Sequence, residues 1–97
     1  LTVPWNENQV KTGKVGHGEG YNSFTNRIDW AGFDTCGECC GSNHRSDVNN
    51  VSQFFLQYQK SPPHWKILTN SKYNYISVSV LYDRETNTYY SVVNVRK

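Results

Sequence analysis

Ile76-Ser77-Val78-Ser79-Val80-Leu81-Tyr82, then Asp83-Arg84-Glu85-Thr86-Asn87-Thr88, then Tyr89-Tyr90-Ser91-Val92-Val93-Asn94-Val95 is the stretch on which the fold turns. Ile76, Val78, Val80 and Tyr82 alternate with Ser77, Ser79 and Leu81, the period of two that a strand requires. Asp83 to Thr88 is polar and reads as a turn. Tyr90, Val92 and Asn94 then alternate with Tyr89, Ser91, Val93 and Val95. The pattern predicts an antiparallel hairpin with one face buried.

Upstream of the hairpin the period changes. Val48, Val51, Phe55 and Tyr58 recur at helical spacing, with Phe54 and Leu56 widening the stripe, so residues 47–60 are predicted helical. Ser46 or Asp47 supplies a cap, and the helix must stop by Lys60 or Ser61 because Pro62 and Pro63 follow. A second, shorter helix is predicted over residues 24–32, where Phe24, Ile28 and Ala31 share a face and Gly32 stops it. Residues 1–23 are polar and carry Gly13, Gly16, Gly18 and Gly20, which predicts loop with a short helical piece at the start. Helices first and a hairpin last imply a layered α+β domain.

Composition bounds the rest. Ninety-seven residues suffice for one domain with a modest core. The aliphatic content is low, so Trp30, Phe54, Phe55, Tyr58 and Trp65 are expected in the core. The net charge of +2 is spread over scattered Lys and Arg with no basic run, which argues against a nucleic-acid partner. No apolar stretch approaches the ~20 residues of a membrane span. The chain starts at Leu1 and contains no Met, so a processed or partial chain is expected, with the N-terminal side the place where a domain edge would be missing.

Cysteine and histidine mark the places where chemistry could sit. Cys36, Cys39 and Cys40 fall within five positions, an odd number that leaves at least one unpaired within the chain. Disulfide geometry rarely joins neighbours such as Cys39 and Cys40, so disulfide candidates look outward or stay as thiols. Cys36-x-x-Cys39 with Cys40 and His44 has the ligand types of a small zinc knuckle, although no second ligand pair follows. A redox Cys-x-x-Cys would open a helix, whereas Gly41, Ser42 and Asn43 read as loop. His17 between glycines, Glu38 and His64 offer two imidazoles and a carboxylate, able to hold a divalent metal such as zinc or to share protons near neutrality. The plainer alternative is a surface His17 and a packed, hydrogen-bonded His64. Ser61 has no nucleophile motif around it and reads as a helix-end residue. Asn50-Val51-Ser52 is a glycan acceptor sequon.

Taken in order, His17, Ser23-Phe24-Thr25-Asn26-Arg27-Ile28, Ala31-Gly32-Phe33, Gly37-Glu38, a helix, Ser61-Pro62-Pro63-His64, Ile76–Val80 and Tyr89–Val93 resemble the CAP superfamily of SCP-like domains (cysteine-rich secretory proteins, antigen 5, pathogenesis-related 1), in its bacterial-type branch. The resemblance covers about residues 15–95 and leaves 1–14 poorly matched. It implies a single domain built as a three-layer α-β-α sandwich ending in the antiparallel hairpin. The family's first helix layer would be partly missing here, or supplied by an absent segment or another chain. The resemblance further implies a cleft lined by His17, Glu38 and His64, with Ser61 where a second acidic residue is usual and Cys39 where an Asn is usual. By resemblance the chain is expected to be secreted, to bind a protein partner or a lipid or sterol, and to lack efficient catalysis. A metal-assisted hydrolase using His17, Glu38 and His64, and a structural subunit of an extracellular assembly, are the alternatives.

Overall fold

A computed structural model describes residues 1–44 and 50–97, without the side chains of Asn50 and Val51. The proposed caps Ser46 and Asp47, the core positions Val48 and Val51, and the glycan acceptor Asn50 therefore lie outside what is described. The elements are α1 (Thr2–Thr12), a 3-10 turn (Gly20–Asn22), α2 (Phe24–Ala31), β1 (Cys36–Asn43), α3 (Asn50–Gln59), α4 (Pro62–Leu68), β2 (Tyr75–Asp83) and β3 (Thr88–Arg96). The chain is thus mixed helix and sheet, as the α+β expectation requires. None of the described helices is long and apolar enough to cross a membrane.

The hairpin forms where the alternation places it. β2 and β3 pair antiparallel with Val78 opposite Val93 and Ser79 opposite Val92. Asp83 fixes the turn by accepting from the Glu85 backbone N–H and the Thr86 hydroxyl, and Asn87 takes the left-handed backbone there, φ 52°. β1 joins the other edge of β3, with Glu38 opposite Asn94 and Cys39 opposite Val93, so the order is β1-β3-β2. The stretch Gly41-Ser42-Asn43, expected as loop, is strand. Its glycine and serine are poor local signals, and pairing with the Val-rich β3 overrides them.

Helices pack on both faces. On one, α3 sets Phe54 and Tyr58 on Cys39, Val93 and Val95, with Ile67 and Leu68 of α4 at the margin. The inward stripe of α3 is Phe54 and Tyr58, while Phe55 and Leu56 are exposed. Of the expected stripe, Phe54 and Tyr58 thus face the core and Phe55 and Leu56 do not. α4 starts on Pro62, which needs no N–H partner at a helix start, and so follows directly on the break that ends α3.

The other face carries α1, which the polar N-terminal sequence did not announce at this length. Its buried residues are Thr2, Trp5, Asn6 and Gln9, a helical i, i+3, i+4, i+7 stripe made mostly of polar side chains. These residues are buried because the sheet offers them partners. The Asn6 amide donates to the carbonyl oxygens of Ser79 and Tyr90 and to Ser79 Oγ, at 3.0–3.1 Å. Gln9 donates to Asn6 Oδ1 and to the Ser91 carbonyl, and Thr2 pairs with the Ser77 hydroxyl. Consequently it is Ser79 of β2 that is buried, while Ile76 and Val78 stand exposed at 64% and 51%. Trp30, expected in the core, is 92% exposed.

Candidate functional site

β1 sorts its side chains by alternation. Cys36, Glu38 and Cys40 point to the face of α1, Gly37 and Cys39 to the face of α3 and α4. Glu38 thereby projects into the polar layer, where its side chain has no exposure. Burying a lone carboxylate there would be prohibitive, so the surroundings must satisfy it.

They do so on every side. Arg27 reaches in from α2 and donates two parallel hydrogen bonds, Nη1 to Oε2 at 2.7 Å and Nη2 to Oε1 at 2.8 Å. This fork-to-fork pair is the strongest form of a guanidinium–carboxylate contact. His17 Nδ1 donates to Oε1 at 3.0 Å, and Asn94 Nδ2 to Oε2 at 2.8 Å. Each carboxylate oxygen therefore accepts two hydrogen bonds. Burial by itself raises the Glu38 pKa, but the hydrogen bonds from Arg27, His17 and Asn94 and the Arg27 charge outweigh it and bring the pKa down to about 2.

Arg27 is held as firmly as it holds. Its guanidinium lies 3.9 Å from the Trp5 ring centroid, Nε donates to the Asn22 carbonyl and Nη2 also to the His17 carbonyl. Trp5 in turn donates to the Gly16 carbonyl at 2.9 Å. Gly18 lets the loop close over this stack. Its φ is +79°, and a Cβ there would sit 2.1 Å from the Asn22 carbonyl oxygen and 2.7 Å from the Trp5 ring. Among the glycines of the N-terminal segment, this is the one the site needs.

The three expected cleft residues fare differently. His17 and Glu38 are in direct contact, with the His17 side chain half-exposed. His64 sits in the first turn of α4, where its Nδ1 pairs with Ser61 Oγ at 2.8 Å and its ring lies 5.2 Å from that of Tyr58. No contact joins the two imidazoles among the described residues. Burial lowers the His64 pKa, and the charge of His17 lowers it further. Ser61 is a partner of His64. His44 stands apart, paired with Thr88 Oγ1 at 3.0 Å near the start of β3.

All three thiols are free. Cys36 and Cys39 face opposite sides of β1, so the zinc-knuckle arrangement does not form. Burial, reinforced by the Glu38 charge, pushes Cys39 to about 11 and Cys40 to about 12. Both stay protonated at neutral pH, which does not suit a nucleophile. The one group among the described residues with ligand atoms near enough for an ion is His17, Glu38 and Cys40, whose donor atoms lie within 4.8 Å of one another. The fit is poor: Glu38 has no oxygen left, Cys40 would have to lose a strongly held proton, and an ion would face the Arg27 guanidinium across the same carboxylate.

Reasoning from sequence did not single out Arg27, Asn94 or Trp5 as site residues. Two signals pointed their way. Arg27 lies in the Phe24-x-x-Arg27 segment of the resemblance, and Asn94 interrupts the apolar run Val92-Val93-Asn94-Val95. No family model, curated protein or solved structure matches the chain.

Proposed function

We propose that this chain is a CAP-type binding domain of an extracellular setting, in which Glu38 shapes the wall of a cleft and does not take part in a reaction. The observation that carries this reading is the saturation of the Glu38 carboxylate by Arg27, His17 and Asn94. A general base needs a pKa near the working pH and a free lone pair toward its substrate; a carboxylate held at about 2, each of whose oxygens already accepts two hydrogen bonds, has neither. The CAP reading is supported by the contact between two residues its motifs single out, His17 and Glu38, and by helices on both faces of an antiparallel sheet. In this reading the occupant of the cleft is a protein or lipid partner that meets the exposed edge of His17, and the sandwich is of the α-β-α type.

The same observation disfavours the metal-assisted hydrolase. Zn²⁺ titration by calorimetry, with peptide and ester turnover measured in parallel, tests the choice. The expected result is no saturable Zn²⁺ heat and no turnover above the buffer rate. Zn²⁺ binding abolished in a His17→Ala/His64→Ala double variant, with turnover lost in Glu38→Gln, would replace the binding domain by the enzyme.

A further inference from the structure

A groove of about 700 Å³ runs between α1 and α2, with Trp5 and Arg27 of the candidate site in its wall. It falls within the roughly 300–1,000 Å³ of small-molecule sites. Tyr21 and Trp30 both line it, and they are the two most exposed large hydrophobic side chains among the described residues, at 96% and 92%. One exposed aromatic is ordinary. Two in a single groove, each contributing nothing to the core, form a surface with faces available for stacking.

The polar lining narrows the class of ligand. Asn8 and Asp29 line the groove, and their side chains make no hydrogen bond among the described residues. Asn26 gives one amide hydrogen to the Gly20 carbonyl and keeps its own oxygen and second hydrogen. The guanidinium in the wall, Arg27, is committed to Glu38 and to Trp5. The groove thus presents π faces, neutral donors and acceptors, and one carboxylate with no free side-chain cation opposite. An anionic ligand would meet the Asp29 carboxylate while the Arg27 charge is already taken by Glu38. A proline-rich peptide would stack on the rings, but its imide nitrogens have no hydrogen to give Asp29. A pyranose meets both demands: its C–H face packs on an aromatic ring, and hydroxyls around its rim both donate and accept.

We propose that this groove binds a neutral oligosaccharide, with Trp30 and Tyr21 as stacking platforms and Asn8, Asn26 and Asp29 pairing with sugar hydroxyls. The test titrates the full chain with cellotriose, maltotriose and triacetylchitotriose, read by tryptophan emission and by backbone amide shifts, with decaproline as the competing class. At least one trisaccharide saturates in the millimolar range or below, shifts emission to the blue, and moves amides of α2 and of the Gly20–Asn22 turn. Affinity falls by about tenfold or more in Trp30→Ala and falls less in Trp30→Phe, which keeps a ring; Asp29→Asn weakens binding too. Because Trp30 packs against nothing in the core, far-UV circular dichroism of these variants stays that of the wild type. Saturation by none of the three sugars, binding untouched by Trp30→Ala, or decaproline shifting the same amides while the sugars do not, overturns the proposal.

Discussion

The two faces of the sheet are held by different kinds of force. Under α3 and α4, Phe54 and Tyr58 lie on Cys39, Val93 and Val95, and the gain comes from apolar area removed from water. Under α1 and α2, Asn6, Gln9, Glu38 and Asn94 are buried and joined by directed hydrogen bonds. The first kind of contact is tolerant: it depends on volume and degrades gradually. The second is all or nothing, because removing one partner leaves another buried and unsatisfied. The candidate site lies wholly in the second kind, which is why a chain with so few aliphatic residues holds a buried ion pair in a fixed position.

The sharpest break of this comparison sets Glu38→Gln beside Phe54→Ala. Each is expected to cost about 3–5 kcal/mol at neutral pH, the first by leaving Arg27 uncompensated, the second by opening a cavity. Acid separates them. The folded Glu38 pKa of about 2 lies below its ordinary 4.5, so its contribution is complete above about pH 5 and is lost as the pH falls toward 2, a swing on the order of 3 kcal/mol. Urea unfolding of both variants at neutral pH and near pH 3 measures this. The gap between wild type and Glu38→Gln should shrink in acid, while the gap to Phe54→Ala stays constant. A Glu38→Gln gap that does not narrow would mean that the network is not what holds this face.

A smaller effect tests the α1 layer alone. Asn6→Ala removes the donor to the Ser79 and Tyr90 carbonyls and the acceptor of the Gln9 amide. The expected loss is about 2 kcal/mol, since buried groups left unpaired cost roughly 1–3 kcal/mol each and partial rehydration offsets some of it. Hydrogen exchange should report faster opening of β2 before β1, because Asn6 ties α1 to Ser79 of β2. Equal acceleration in both strands would show that α1 acts through global stability and not as a local clamp.

The same contrast explains what the sequence disclosed. The α3 face was legible in outline, because hydrophobic periodicity is the signal that apolar packing leaves, and α2 was legible through the spacing of Phe24, Ile28 and Ala31 and through Gly32, which ends it as its residue type implies. Even there the stripe came out too wide, since Phe54, Phe55 and Leu56 are all apolar and only the tertiary partner selects Phe54 among them. The α1 face was hidden. Asn6 and Gln9 read as solvent-facing residues until the carbonyls of β2 and β3 are set against them. Glu38 and His17 were found, but Arg27 and Asn94 were not, because nothing in a linear chain says which cation and which amide a buried carboxylate will recruit. Trp30 erred the other way: size suggested the core, and the helix turned it outward.

The smallest expected effect concerns a histidine whose titration feels both faces. His64 belongs to the apolar side, beside Tyr58, yet its pKa is lowered from the ordinary 6.5 first by burial and then by the charge of His17 on the polar side. The unfolded chain therefore takes up this proton first as the pH falls. Stability assignable to His64 is full above about 6.5 and declines below it, and His64→Ala should lack that decline while costing about 1 kcal/mol or less at neutral pH. The discriminating measurement is the proton NMR titration of the His64 ring in wild type and in His17→Ala. Removing His17 removes a like charge, so the His64 pKa must move up. An unmoved titration would place the two imidazoles too far apart to line a common cleft, and the boundary between the two faces at β1 would then insulate them electrically as well as structurally.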